Sequence, residues 1–128
     1  MTLDSSALVA ILFGEHGYLD LIDRILSASG VRVAALTLVE TSMVFASRRK
    51  ADAADEVRAL VQELGVTVVP FSEREWHAAM DAFLRFGRGR HKAALNFGDC
   101  IAYAAAANAN DSLLFVGDDF AQTDVVVA

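Results

Sequence analysis

Cysteine, proline and tryptophan are nearly absent from this 128-residue chain, with one of each: Cys100, Pro70 and Trp76. A single cysteine excludes an intramolecular disulfide and suits a reducing compartment, so a cytoplasmic protein is expected. A single proline excludes polyproline linkers. No low-complexity tract or internal repeat divides the chain, and residues 1–128 read as one domain. Uninterrupted apolar runs stop at seven residues, Ala7–Phe13 and Ile101–Ala107 (Cys100 set aside). Neither approaches the ~20 residues needed to cross a bilayer. The opening Met1–Ser6 carries no basic segment, so neither a signal peptide nor a membrane partner is expected. Cations are also scarce, with 11 Lys+Arg against 17 Asp+Glu and a net charge of -6. That excludes a uniformly basic nucleic-acid binder, although not a local basic patch.

What the chain has in quantity is apolar side chains, 55% of residues, including 23 alanines and 40 Leu, Val, Ile and Phe. The surplus exceeds what so small a core needs, which points to a homodimer seam or a bound partner chain. The elements alternate. A short extended start leads to a helix capped by Ser5 and Ser6, or by Asp4, and running to Phe13. After a break at Gly14–Gly17, Leu19, Ile22, Ile25 and Leu26 recur at helical spacing. Val31–Ala35 reads as a buried strand. Helices follow from Leu38 to about Lys50 and from about Ala53 to Leu64, then a short strand, Val66–Val69, stopped by Pro70. A helix over Glu73–Phe86, a glycine-containing loop, a helix over Gly98–Ala109 and a strand Leu113–Val116 complete the pattern, with Val125–Val127 as a further strand. Such alternation predicts an α/β fold, a small parallel sheet of four to five strands sandwiched by helices. Ligands of such sheets bind outside the carboxyl ends of the strands.

Acids occupy those strand exits. Asp4 ends the first strand, Glu40 lies in the first turn after the second, Asp99 opens the alanine-rich helix, and Asp118 and Asp119 follow the strand at Leu113–Val116. Local roles exist for each: Thr37-x-x-Glu40 and Asn96-x-x-Asp99 read as capping boxes, and Asp118-Asp119 as a turn. Converging carboxylates would repel one another and raise one another's pKa. A hard cation, Mg²⁺ or Mn²⁺, relieves that conflict, and no Cys/His ligand set competes for the metal. One or two such ions activate water and neutralise a scissile phosphodiester. Asp4-Ser5-Ser6 lacks the second Asp of a haloacid-dehalogenase-type phosphatase. No Lys follows Val116, as a receiver-type phospho-acceptor would require.

Seven of the eleven cations lie in two short segments. Arg85, Arg88, Arg90 and Lys92 surround His91 and two glycines, forming the candidate RNA-binding loop; Arg48, Arg49 and Lys50 end a helix, where the dipole also favours them. Trp76, Met80 and Phe83 share one helical face, a core or dimer-interface stripe.

Three blocks together resemble the PIN-domain ribonucleases, and more narrowly the VapC toxins of toxin–antitoxin pairs. They are Leu3–Ile11 (LDSSALVAI), Leu95–Cys100 (LNFGDC), and Leu113–Phe120 (LLFVGDDF) with Thr123-Asp124. The resemblance spans nearly the whole chain and implies a PIN-like α/β/α fold. It also implies a metal-dependent endoribonuclease, a hydrolase acting on a structured RNA such as a tRNA, and a VapB-type antitoxin that docks near the acids. By position, Asp4, Glu40 and Asp99 match the acidic triad. Asp118 or Asp119 supplies the fourth acid, Asp119 beside Phe120 being preferred and Asp124 a weaker candidate. Ser6 matches a small hydroxyl residue that bonds a carboxylate or a bound water, or simply starts the helix. The competing reading is a catalytically silent PIN-like module that binds RNA or protein around a structural cation.

Overall fold

The computed structural model describes residues 1–49 and 54–128. Its centre is a four-stranded, all-parallel sheet in the order β3-β2-β1-β4, built from β1 (Thr2–Leu3), β2 (Arg32–Ala34), β3 (Thr67–Val69) and β4 (Leu113–Leu114). Two helices fill each crossover: α1 (Ser5–Phe13) and α2 (Tyr18–Ser27), α3 (Ala35–Arg49) and α4 (Ala54–Glu63), α5 (Glu73–Phe86) and α6 (Phe97–Ala109).

Strand order fixes the layers. From β1 the chain steps outward to β2 and β3, then returns past both to pair β4 with the other side of β1. Right-handed crossovers put outward and returning connections on opposite faces of a parallel sheet. Two apolar clusters match this. One joins Leu3, Leu8, Leu21, Ile25, Val33 and Leu114. The other joins Ala82, Leu95, Tyr103, Leu113 and Phe120. Adjacent Leu113 and Leu114 enter different clusters because successive strand residues point to opposite faces. The reversal between β1 and β4 is the switch point at which such sheets open a crevice at their carboxyl ends.

Several boundaries differ from the sequence expectation. Asp4, in extended conformation, is the N-cap of α1, so Ser5 and Ser6 are its first helical residues rather than its caps. Helix α3 begins at Ala35, with no loop after β2, which places Thr37 inside the helix and buried. No Thr37–Glu40 capping box forms, and the Thr37 hydroxyl has no hydrogen-bond partner. The expected helix end at Lys50 and the expected helix start at Ala53 fall outside the described residues. The strand at Val125–Val127 is reduced to one parallel bridge, Leu113 with Val127. Among the described residues, no helix is long and apolar enough to cross a membrane.

Candidate active site

Four segments bring carboxylates to the switch point. Asp4 leaves β1 and caps α1: its Oδ2 accepts from the Ser6 amide at 2.9 Å and from the Ser6 hydroxyl at 2.5 Å. Its Oδ1 is buried and has no partner. Glu40 reaches in from the second turn of α3, and its Oε2 is likewise buried without a partner. What admits Glu40 is Gly98: a Cβ there would fall on both Glu40 carboxylate oxygens, inside van der Waals contact. Asp99 belongs to a capping box at the start of α6, as its spacing from Asn96 predicts. Its Oδ2 accepts from the Asn96 amide at 2.8 Å, while its own amide donates to Asn96 Oδ1 at 3.0 Å.

Asp118 and Asp119 lie on the exposed turn after β4. Gly117, at φ +104°, gives that turn a left-handed step that side-chain-bearing residues rarely adopt. Two anchors then hold the turn: Phe120, 2% exposed, packs on Phe115 with ring centroids 4.9 Å apart, and the Val116 amide donates to Ser6 Oγ at 2.9 Å.

The electrostatics join four of these acids into one group. Asp99, 8% exposed, is raised to about 6, chiefly by burial and then by the charges of Asp4, Asp119 and Glu40, against the lowering bond from Asn96. Burial raises Asp4 as well. The Ser6 and Ser5 donors oppose that rise, and the Asp119 charge adds to it. Glu40 is raised by burial and then by Asp4, while the Ser5 hydroxyl offsets part of this. Asp118 and Asp124 do not figure in these couplings. Among the described residues, no three Asp, Glu, His or Cys side chains are gathered into a ready-made metal shell. The acids act on one another through their charge, at the carboxyl ends of β1 and β4.

Asp124 is engaged elsewhere. The Tyr103 hydroxyl donates to its Oδ1 at 2.6 Å, and Arg85 pairs with its Oδ2. Arg85 also reaches Asp81 and the Tyr103 hydroxyl, and its guanidinium lies over Phe86. These bonds hold Asp124 well below the usual carboxylate range, the Tyr103 hydroxyl contributing most. Arg85 therefore fastens the C-terminal segment to α5 and α6. Arg88, Arg90 and Lys92 are exposed on the loop that leads straight to Asn96 and Asp99, and the Arg90 guanidinium lies over Phe83. The loop is closed at its base: the Arg88 amide donates to Leu95 O and the Leu95 amide to Phe86 O, both at 3.0 Å. In the other basic segment, Arg48 pairs with Glu15 at 3.1 Å, and both Arg48 and Arg49 lie over Phe13. Lys50 lies outside the described residues.

Sequence reasoning singled out the Trp76, Met80 and Phe83 stripe but missed Phe97, which extends it into an apolar rim beside the site. Phe97, 80% exposed, stands at the first position of α6 between two apolar crevices. One, of about 310 Å³, includes Trp76, Met80 and Phe83; the other, of about 350 Å³, includes Val39, Met43 and Glu40. Trp76 and Met80 are exposed and are not core residues. The signal was available: Phe97 directly precedes a Gly-Asp pair at a helix start, where no core faces it.

The comparisons with known proteins agree with this fold. The model of the PIN domain matches residues 1–126. Ribonuclease VapC36 of Mycobacterium tuberculosis is 40% identical over 126 residues, covering 98% of this chain and 91% of that protein. VapC ribonuclease R02377 of Rhizobium meliloti is 38% identical over 138 residues, covering 96% of this chain and 97% of that protein. Among solved structures, VapC20 of Mycobacterium tuberculosis, described as a sarcin–ricin loop cleaving toxin, superposes with a TM-score of 0.79 at 18% identity, over 99% of this chain and 97% of that one. A chain of a toxin–antitoxin complex from Klebsiella pneumoniae gives 0.75 at 16%, over 99% and 95%. With the model matched almost end to end and full-length relatives above a third identical, the chain belongs to the PIN-domain family, alongside the VapC ribonucleases.

Proposed function

We propose that this chain is a Mg²⁺- or Mn²⁺-dependent endoribonuclease, the toxin of a toxin–antitoxin pair, acting on a structured RNA. One observation carries the reading. Four carboxylates from separate segments are coupled by charge at the switch point, and two of their buried oxygens, Asp4 Oδ1 and Glu40 Oε2, have no partner. Buried carboxylate oxygen left unpaired beside like charge is costly unless a cation is shared. An all-oxygen donor set suits a hard divalent ion. Asp4 and Asp99 would hold it most directly, with Glu40 and Asp119 completing the set and Asp118 as an outer contributor. Such an ion, when bound, activates water and neutralises charge on the phosphodiester.

The chain's own groups do the rest. Ser6 and Asn96 fix the rotamers of Asp4 and Asp99, so the free oxygens are presented without reorganisation when substrate arrives. Arg88, Arg90 and Lys92 supply phosphate contacts that give affinity and salt dependence rather than sequence choice. Water attacks phosphorus opposite the leaving oxygen and gives up a proton to solvent; the P–O bond to the leaving oxygen breaks, and that oxygen takes up a proton and departs as a hydroxyl. The apolar crevices flanking Phe97 adjoin the acids and suit a VapB-type antitoxin, whose arginine would be drawn to the negative rim; the same exposed surface accommodates a homodimer seam.

The test is cleavage of a panel of structured RNAs by protein freed of any partner and supplied with Mn²⁺, compared with Asp4→Asn. Cleavage by wild type and not by the variant supports the reading. Equal inactivity of both, with Mn²⁺ binding retained, supports instead a silent module around a structural cation.

A further inference from the structure

The bonds of the Ser6 hydroxyl join two catalytic segments that share no helix or strand. In the parallel ladder between β1 and β4, the Thr2 amide donates to Ser112 O and the Asp4 amide to Leu114 O. The next rung of such a ladder would run from the Val116 amide to the Asp4 carbonyl. That rung is missing, because the chain turns at Asp4 into α1 and the Asp4 carbonyl accepts from Leu8 within the helix. The Val116 amide turns instead to Ser6 Oγ, at 2.9 Å.

A hydroxyl carries one proton and two lone pairs. The Ser6 proton is spent on Asp4 Oδ2, at 2.5 Å, which leaves an oxygen lone pair for the Val116 amide. Asp4 Oδ2 is thereby held by two donors from Ser6, and Oδ1 is the oxygen left free. Val116 is followed at once by the left-handed Gly117 and by Asp118 and Asp119, so the same hydroxyl fixes where the Asp119 turn departs from the sheet. At its far end this turn is held by Phe120 and by the Tyr103–Asp124 bond.

We propose that Ser6 is a positioning residue that sets Asp4 and the Asp119 turn relative to one another, replacing a sheet hydrogen bond with a side-chain latch. The proposal rests on the nuclease reading for its kinetic consequence and on the fold alone for its structural one. Removing the latch takes one of the two donors from Asp4 Oδ2, leaving the Ser6 amide as its only hold there, and lets the turn shift. Misplacement of catalytic groups by about 1 Å costs on the order of 100-fold in rate.

The experiment compares wild type, Ser6→Ala and Ser6→Thr in three measurements: steady-state RNA cleavage with Mn²⁺, thermal melting, and hydrogen exchange of the Val116 amide by NMR. Ser6→Ala is expected to lower kcat by ~10–100-fold with KM within about threefold, to melt within a few degrees of wild type, and to speed Val116 exchange by ~10-fold or more. Ser6→Thr, which keeps the hydroxyl, is expected to restore both the rate and the protection. Unchanged Val116 exchange in Ser6→Ala overturns the latch, as does cleavage within twofold of wild type. Failure of Ser6→Thr to rescue a folded protein also overturns it. If wild type cleaves no RNA, the nuclease reading falls instead, and amide exchange alone decides the latch.

Discussion

Replacing Asp99 by asparagine should stabilise the metal-free protein while abolishing its activity. The capping box survives the change, because an amide oxygen can accept the Asn96 amide as the carboxylate does. What disappears is a charge in a place hostile to it. Burial, then Asp4, Asp119 and Glu40, raise Asp99 from 3.8 to about 6. At roughly 1.4 kcal/mol per pH unit, the ionised carboxylate costs the native state about 3 kcal/mol. The side chain is 8% exposed, so solvent screening discounts this little. Loss of a negative charge at the α6 N-terminus takes back about 0.3–1 kcal/mol, leaving about 2 kcal/mol in favour of Asp99→Asn.

The sign follows from proton binding. A carboxyl with a raised native pKa holds more protons folded than unfolded, so stability falls as pH rises. The cost is nearly absent below about pH 4, grows to about pH 6 and is level above it. Differential scanning calorimetry in a chelator at several pH values measures this directly. Asp99→Asn should melt about 5–10 °C above wild type at pH 7.5, and the gain should vanish toward pH 4. A variant that melts at or below wild type at pH 7.5, or a gain independent of pH, would refute the account of Asp99 as a buried charge further raised by its acidic neighbours.

Three other outcomes test the surroundings. Mn²⁺ at about 100 times its dissociation constant should stabilise wild type by about 2.7 kcal/mol at neutral pH and Asp4→Asn far less; equal shifts in thermal melting would separate the ion from the acids. Gly98→Ala places a methyl on the Glu40 carboxylate while improving the propensity of α6 by about 1 kcal/mol. It should fold at least as stably as wild type yet cleave RNA on the order of 100-fold more slowly, and full activity would show that Glu40 is free to leave. Replacing Arg88, Arg90 and Lys92 together by alanine should flatten the log–log dependence of RNA affinity on salt by up to about 2, at ~0.7 per phosphate contact; an unchanged slope would remove this loop from the RNA path.

Asp99 and Glu40 show what the sequence could and could not convey. The box from Asn96 to Asp99 is a local device of four residues, and its spacing alone located it. The same spacing from Thr37 to Glu40 misled, because α3 starts directly at the end of β2 and buries Thr37 in its first turn. Glu40 is placed by a contact across the fold, the missing Cβ of Gly98, and no reading of α3 by itself reveals that. The parallel sheet was legible because its helices are long and periodic. Its last strand shrank to one bridge because Val126 and Val127 stay largely exposed at the edge of β4. Arg85 looked like its neighbours in a basic run. Only the tertiary fold brings Asp124 and Tyr103 to its guanidinium and distinguishes it from Arg88 and Lys92.

The paired bonds at the foot of the basic loop separate two kinds of evolutionary change. Phe86 and Arg88 on one side and Leu95 on the other close the loop before the chain reaches Asn96. Residues at the tip can therefore be exchanged, lengthened or recharged without moving the start of α6 or the acid it carries. In the nuclease reading, the phosphate-contacting tip and the acid-bearing start of α6 are thus adjacent parts joined through a fixed base. A graft of this tip between related chains should change RNA affinity and its salt dependence while the recipient's chemistry stays intact.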